Sequence, residues 1–155
     1  MEPPRIKPRS LADYLDALSR SVFEAGMSWK SVDAKWPSIS EAFHSFDPEW
    51  VAGLSARQID RLAADPKVIR NKRKIEGTVA NARTMLDLDG EHRGFRRYLR
   101  SFGGYESLAA DIKSQFRFIG DYGAYRFLWA VSEPVPSYEQ WAQSRGISLP
   151  SGGSQ

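Results

Sequence analysis

The chain has 155 residues, 41% of them hydrophobic and 12% aromatic with five tryptophans, which is enough for one compact core and too little for two ordinary domains. Its formal net charge of +3 favours an anionic partner without naming one. With no cysteine, two histidines and no apolar run of membrane-span length, it has no means to build disulfides, thiolate zinc sites, cysteine nucleophiles or a transmembrane helix.

Residues 1–9 place Pro3, Pro4 and Pro8 among Arg5, Lys7 and Arg9 and read as a basic, proline-rich tail. The amino end lacks the positive-then-apolar pattern of a signal peptide, so the expected location is the cytoplasm. A first helix follows from spacing: Leu11, Leu15, Leu18, Val22 and Ala25 recur at helical intervals, Ser10 is placed to cap the start, and Gly26 is placed to end it. Met27 and Trp29 are thereby thrown out at a helix junction, where large apolar side chains either seal a corner of the core or line a pocket.

Ser38-Ile39-Ser40-Glu41 has the form of a capping box and predicts a helix starting there, behind Trp36-Pro37, and reaching Phe43. Asp47-Pro48 predicts another start, with the aspartate as cap and the proline at the first helical position. Ser55 to Gln58 repeats the capping-box form and opens a helix with Ile59, Leu62 and Ala63 inward, ended by Asp65-Pro66. From Lys72 to about Leu88 the spacing of Ile75, Val79, Ala82 and Leu86 predicts a long helix.

Phe95, Tyr98, Leu99 and Phe102 mark the next helix, up to Gly103-Gly104, and Leu108, Ile112 and Phe116 mark another. After the turn of Ile119 to Gly123, an apolar helix runs through Phe127, Leu128 and Val131 to Pro134 and Pro136, and Ser137 to Arg145 forms a last short helix. Residues 148–155 are a Ser/Gly-rich tail, which leaves 10–147 as a single domain. Period-two alternation is nowhere sustained, so the class is all-α. The basic runs at Arg70, Lys72, Arg73 and Lys74 and at Arg93, Arg96, Arg97 and Arg100 read mostly as solvated helix faces, and His44 and His92 carry no assigned role.

Ala25-Gly26-Met27-Ser28-Trp29, then Phe46-Asp47-Pro48, Ile69-Arg70-Asn71-Lys72 through Lys74-Ile75, and Asn81-Ala82-Arg83, in that order, resemble the DNA-3-methyladenine glycosylase I family. A weaker likeness returns over Phe116 to Leu128, so the resemblance covers about Leu11 to Val131. It implies a helix-hairpin-helix DNA glycosylase-like fold and a monomeric, monofunctional enzyme acting on double-stranded DNA. Such an enzyme flips an alkylated purine such as 3-methyladenine out of the duplex and hydrolyses its bond to deoxyribose. The zinc ligands near the ends of longer family members are absent, along with the amino-terminal segment that supplies pocket tyrosines, so a short, zinc-free branch with no cofactor and no metal is expected.

On this resemblance Trp29 is the pocket tryptophan and Met27 the wedge that fills the vacated stack, with Tyr14 and Ser21, an i, i+7 pair, facing the same pocket. Arg117, Ile119, Gly120, Tyr122 and Gly123 form the hairpin that holds a DNA phosphate. The usual hairpin puts its glycines one residue apart, whereas Asp121 and Tyr122 separate Gly120 from Gly123, and Asp121 is repulsive to phosphate unless it points away. The place of the lysine nucleophile of bifunctional relatives falls at Ala124 or close to it, and no catalytic residue is assigned.

The family's pocket glutamate is replaced by Ser21, while Glu24, three residues on, is expected to point away from Ser21 and Tyr14. The alternatives are a non-catalytic helix-hairpin-helix DNA-binding protein that has lost the pocket glutamate, and a helical protein-interaction domain.

Overall fold

A computed structural model describes residues 5–148, and the described residues are helical without a strand. The first helix, α1, runs Leu11–Glu24; the Ser10 hydroxyl accepts from the Asp13 backbone N–H at its start, and Gly26 follows its end at φ +78°. A Cβ at Gly26 would meet nothing within 4 Å, so it is the left-handed backbone rather than lack of space that asks for glycine. Leu15, Leu18, Val22 and Phe23 are fully buried along one face of α1.

The second helix, α2, spans Trp29–Ala42 without interruption, and this corrects the start expected at Ser38. Ser38 lies inside the helix, and its hydroxyl donates to the carbonyls of Lys35 and Lys67 rather than capping an end. Pro37 is also internal, at a cost of about 3 kcal/mol. Val32, Trp36 and Ile39, all buried, outweigh it at roughly 1.5–3 kcal/mol each.

A left-handed turn at His44, Ser45 and Phe46 (φ 52–57°) then stacks Phe46 against Phe43 and Trp36 at centroid distances of 5.1 and 5.3 Å. It leads to α3 (Pro48–Ala52), capped by Asp47, and α4 (Ala56–Ala64), which has the Ser55/Gln58 capping box.

The long helix α5 (Lys72–His92) packs against α1, α3, α4 and α6 (Phe95–Leu99). It ends one turn beyond Leu88, through the left-handed Arg93. Helix α7 (Tyr105–Gln115) and helix α8 (Asp121–Ala130) form a hairpin whose second arm lies on α1. The last helix, α9 (Tyr138–Ser144), again has a capping box, Ser137 with Gln140. It seats Trp141 on Tyr125 at 5.0 Å.

At the amino end, residues 5–6 are bound to the end of α8. Arg5 Nε donates to the Trp129 carbonyl and its guanidinium lies 4.2 Å from the Trp129 ring, while the Ile6 N–H donates to Ala130 O. The expected carboxyl tail lies outside the described residues beyond Ser148.

Candidate functional site

A cavity of about 690 Å³ opens where the α1–α2 corner meets the α7–α8 hairpin. Met27 and Trp29 form one side and are 41% and 42% exposed, which rules out the corner-sealing alternative for both. The opposite side is Phe118, Gly120, Tyr122 and Gly123. The floor is the last turn of α1, with Ser21 and Glu24, and Arg126 from α8.

The corner is held by Lys74, whose ammonium donates to the Ala25 carbonyl at the end of α1; burial lowers the pKa of this lysine. Asn71 caps α5 by accepting from the Lys74 N–H, so two residues of one sequence block fix both the start of α5 and the approach to Met27. Asn81, about two turns further along α5, is 1% exposed and grips the hairpin turn twice. Its Oδ1 accepts from the Arg117 N–H at 2.7 Å, and its Nδ2 donates to the Arg117 carbonyl at 3.1 Å.

The turn between the hairpin helices passes through Phe118 at φ 61°. This left-handed residue aims its ring at Gly77 of α5, where a Cβ would lie 2.7 Å from Phe118 Cδ2. Glycine at position 77 is therefore what lets the ring lie at the cavity edge. Arg73 places its guanidinium 6.0 Å from the same ring.

On the floor, Glu24 and Arg126 form a two-point ion pair, Nε–Oε1 at 2.9 Å and Nη2–Oε2 at 3.0 Å, with side chains 10% and 8% exposed. Burial pushes the Glu24 carboxyl above its ordinary range against the pull of Arg126, and pushes the Arg126 guanidinium below its own against the pull of Glu24. Ser21 is 3% exposed and its Oγ has no hydrogen-bond partner among the described residues. Asp121 at the head of α8 is held by Arg145 Nε at 2.7 Å and Lys113 Nζ at 3.2 Å. Those bonds, with Arg145 first, hold its carboxyl below the usual range.

Of the three residues expected to face one pocket, Ser21 and Trp29 line the cavity and Tyr14 lies outside it. Tyr14 is 6% exposed and packs edge-on against Phe95 at 5.0 Å, because i, i+7 keeps it on the same stripe as Ser21 but two turns up the helix, inside the core. The expectation for Glu24 is also corrected: three residues turn a helix to within about 60° of the starting direction, so Glu24 and Ser21 line one cavity. Met27, Gly120, Tyr122 and Gly123 line it too, whereas Arg117 is exposed outside it and Ile119 is buried beneath the turn.

Sequence reasoning missed Phe118, Arg126 and Asn81. A charge inside the apolar run Ala124 to Val131 signals a buried partner, and that signal pointed to Arg126.

A sequence profile described as methyladenine glycosylase matches residues 10–117. The chain belongs to the methyladenine glycosylase family.

It is similar to the DNA-3-methyladenine glycosylase of Haemophilus influenzae, 34% identical over 89 residues covering 57% of this chain and 48% of that protein. It is also similar to DNA-3-methyladenine glycosylase 1 of Escherichia coli, 32% identical over 83 residues covering 54% and 44%. The chain thus spans about half the length of the curated relatives it matches.

Among solved structures, a crystal structure of 3-methyladenine DNA glycosylase I has the same fold, with a TM-score of 0.72 at 22% identity and 81% of each chain covered. The Staphylococcus aureus 3-methyladenine DNA glycosylase I, solved for its recognition of 3-methyladenine, gives a TM-score of 0.69 at 26% identity, covering 82% of this chain and 78% of that one. Among the described residues of this family member no group of His, Cys, Asp and Glu is arranged to hold a metal, and no helix is long and apolar enough to cross a membrane.

Proposed function

We infer that this protein is a monofunctional DNA glycosylase that removes alkylated purines such as 3-methyladenine from double-stranded DNA by flipping the base and hydrolysing its N-glycosidic bond. The observation that carries the reading is the cavity itself, in which Trp29, Phe118 and Tyr122 offer aromatic faces at an open mouth beside an exposed Met27. In this reading a purine entering between such faces exchanges stacking in the duplex for stacking in the protein, and Met27 fills the gap it leaves.

An alkylated purine is a cation in DNA and leaves C1′ as a neutral base. The bond electrons go to the base, water adds to C1′ and its proton passes to solvent or a carboxylate. Little acid assistance is required, so binding and extrusion carry most of the work. By the resemblance, the position where bifunctional relatives carry an amine nucleophile falls at or close to Ala124, which is fully buried, so in this reading strand cutting through a Schiff base has no lysine there to start it. Gly120 and Gly123 line the cavity, and in this reading the backbone N–H groups of their turn hold a flanking phosphate.

The test is incubation with methylated duplex DNA and chromatography of the freed bases. Release of 3-methyladenine above an enzyme-free control is expected, and Trp29→Ala should lower recognition by roughly 1–3 kcal/mol in a folded protein. Absence of any released base would favour the second reading, a DNA-binding protein without base-excising activity. The observation behind that reading is Ser21, a neutral residue at the family's glutamate register, beside a Glu24 already engaged by Arg126.

A further inference from the structure

The cavity occupies one pole of the molecule, and a second concentration of charge lies at the other. Helix α5, 21 residues or roughly 31 Å long, starts beneath the α1–α2 corner and ends at α6. Helix α8 also starts beside the cavity, and it ends where residues 5–6 are fastened. The far pole is therefore built from residues 5–10, the first turn of α1, α6, and Ser132 and Glu133 after α8. Contacts join these pieces. Ser132 Oγ donates to the Ile6 carbonyl at 2.6 Å, and Arg100 holds both oxygens of Glu133 at 3.2 and 3.4 Å. Arg96 and Arg100 both lie beside the Tyr14 hydroxyl.

This pole is basic. Arg9, Arg93, Arg96 and Arg97 are exposed and form no ion pair among the described residues. Arg5 and Arg100 are exposed as well, the first lying on the Trp129 ring and the second on Glu133. The carboxylates nearby are mostly engaged: Asp13 accepts from the Arg9 backbone N–H, Asp89 accepts from the Phe95 N–H, and Glu133 is buried under Arg100. Asp87 and Glu91, exposed near the end of α5, are left to oppose the arginines.

The side chains missing from this surface narrow its partner further. A protein interface is anchored by large apolar or aromatic side chains near its centre, and a single-strand platform by exposed rings on which bases stack. Of the large hydrophobic side chains exposed among the described residues, Ile6 is the one at this pole. Met27, Trp29, Phe118 and Tyr122 stand at the cavity, and Tyr138 and Ile147 lie with α9. What the pole offers instead is guanidinium, whose planar fork pairs with phosphate oxygens two at a time. Unpaired arginines without stacking rings fit the backbone of a duplex, held without regard to sequence.

We propose that the pole formed by α6 and residues 5–10 is a second duplex-binding surface, so that one molecule holds two segments of DNA, one at the cavity and one at its far end. With roughly 31 Å of helix between them the poles stand several Debye lengths apart at physiological salt, so a duplex on one does not repel a duplex on the other. Only the segment at the cavity rests on the glycosylase reading. A protein that grips one segment while it scans another passes between them without entering free solution.

The test fixes a short duplex to a surface, saturates it with protein, washes, and offers a second, fluorescent duplex. The parent is expected to retain the second duplex, and retention should fall steeply with added salt. Arg96→Gln/Arg97→Gln should cut retention by about tenfold or more and lower the salt slope by about two, while base release from methylated duplex stays within about twofold. A thermal melt checks the fold of this variant, because Arg96 lies beside Tyr14. Arg93→Asn/Arg97→Gln leaves that contact alone and puts asparagine at a left-handed position it tolerates, so it is expected to behave in the same way and decides if the first variant is unfolded.

No retention by the parent, or unchanged retention in the folded variants, would overturn the proposal; the second result would mean that paired copies of the chain bridge the duplexes through their cavity ends. Capture of poly-L-glutamate in place of the second duplex overturns it too and assigns the surface to an acidic protein. Base release and retention fail separately: retention without release sinks the glycosylase reading alone, and release without retention sinks this proposal alone.

Discussion

Gly77 sits in the middle of α5, where alanine would be favoured by about 1 kcal/mol, yet a Cβ there would lie 2.7 and 2.8 Å from two atoms of the Phe118 ring. Crowding of that kind costs about 1–3 kcal/mol when nothing can yield. Phe118 is 38% exposed and can yield, so Gly77→Ala should change stability by less than about 1 kcal/mol in a thermal melt. Binding of 3-methyladenine should nevertheless fall, because the ring is displaced from the cavity edge. Unchanged affinity would mean that Phe118 does not contact the base.

The same pair shows what the sequence could and could not tell. A glycine inside a strongly periodic helix is a readable sign of a close approach. Its partner was not readable, because Phe118 stands at a left-handed φ that a phenylalanine gives no hint of adopting. The resemblance singled out Trp29 and Ser21, which line the cavity, whereas Tyr14 packs on Phe95 away from it, because angular position on a helix says nothing about distance along it.

At the level of the hairpin, the acidic residue that looked out of place in a phosphate-binding turn proves to be a tied one. Asp121 is held by Lys113 and by Arg145, which also bonds both oxygens of Glu106 and so joins α9 to α7 and α8. Arg145→Met should leave Asp121 less opposed at the turn and weaken duplex binding roughly three- to tenfold, and adding Asp121→Asn should restore it. If the single and double variants both bind like the parent, the hairpin does not face DNA.

The bonds from Arg145, and then Lys113, hold the Asp121 carboxyl below its ordinary value of 3.8. Their contribution to stability is therefore complete above that value and fades as pH falls through the lower folded-state value. Melting temperature against pH should fall less steeply on acidification in Arg145→Met than in the parent. The helix starts at Ser10, Asp47, Ser55 and Ser137 were legible because their side chains do bond the first turn. The Ser38 start was not, since burial of Trp36 and Val32 carries α2 straight through Pro37.

Across the molecule, α1 packs against both α5 and α8, and the cavity sits on the seam between the first helical corner and the hairpin. The all-α class and the order of helices could be read from periodicity. The seam could not, because it depends on contacts such as Lys74 to Ala25 and Arg126 to Glu24 that join residues 49 and 102 positions apart. The amino-terminal segment is part of this closure. Deleting residues 1–9 removes the Arg5 and Ile6 bonds to Trp129 and Ala130 together with the Ser132 bond to Ile6, and should cost about 2 kcal/mol, or roughly 5 °C of Tm. An unshifted melt would mean the segment contributes nothing to stability.

The same attachment decides where a label can go. Arg5 and Ile6 are fastened at the carboxyl end of α8, and the turn beside the cavity lies at its amino end, ten residues or about 15 Å away. A fluorophore placed at Lys7 would therefore report on the protein from the far end of that helix, clear of whatever enters between Trp29 and Phe118.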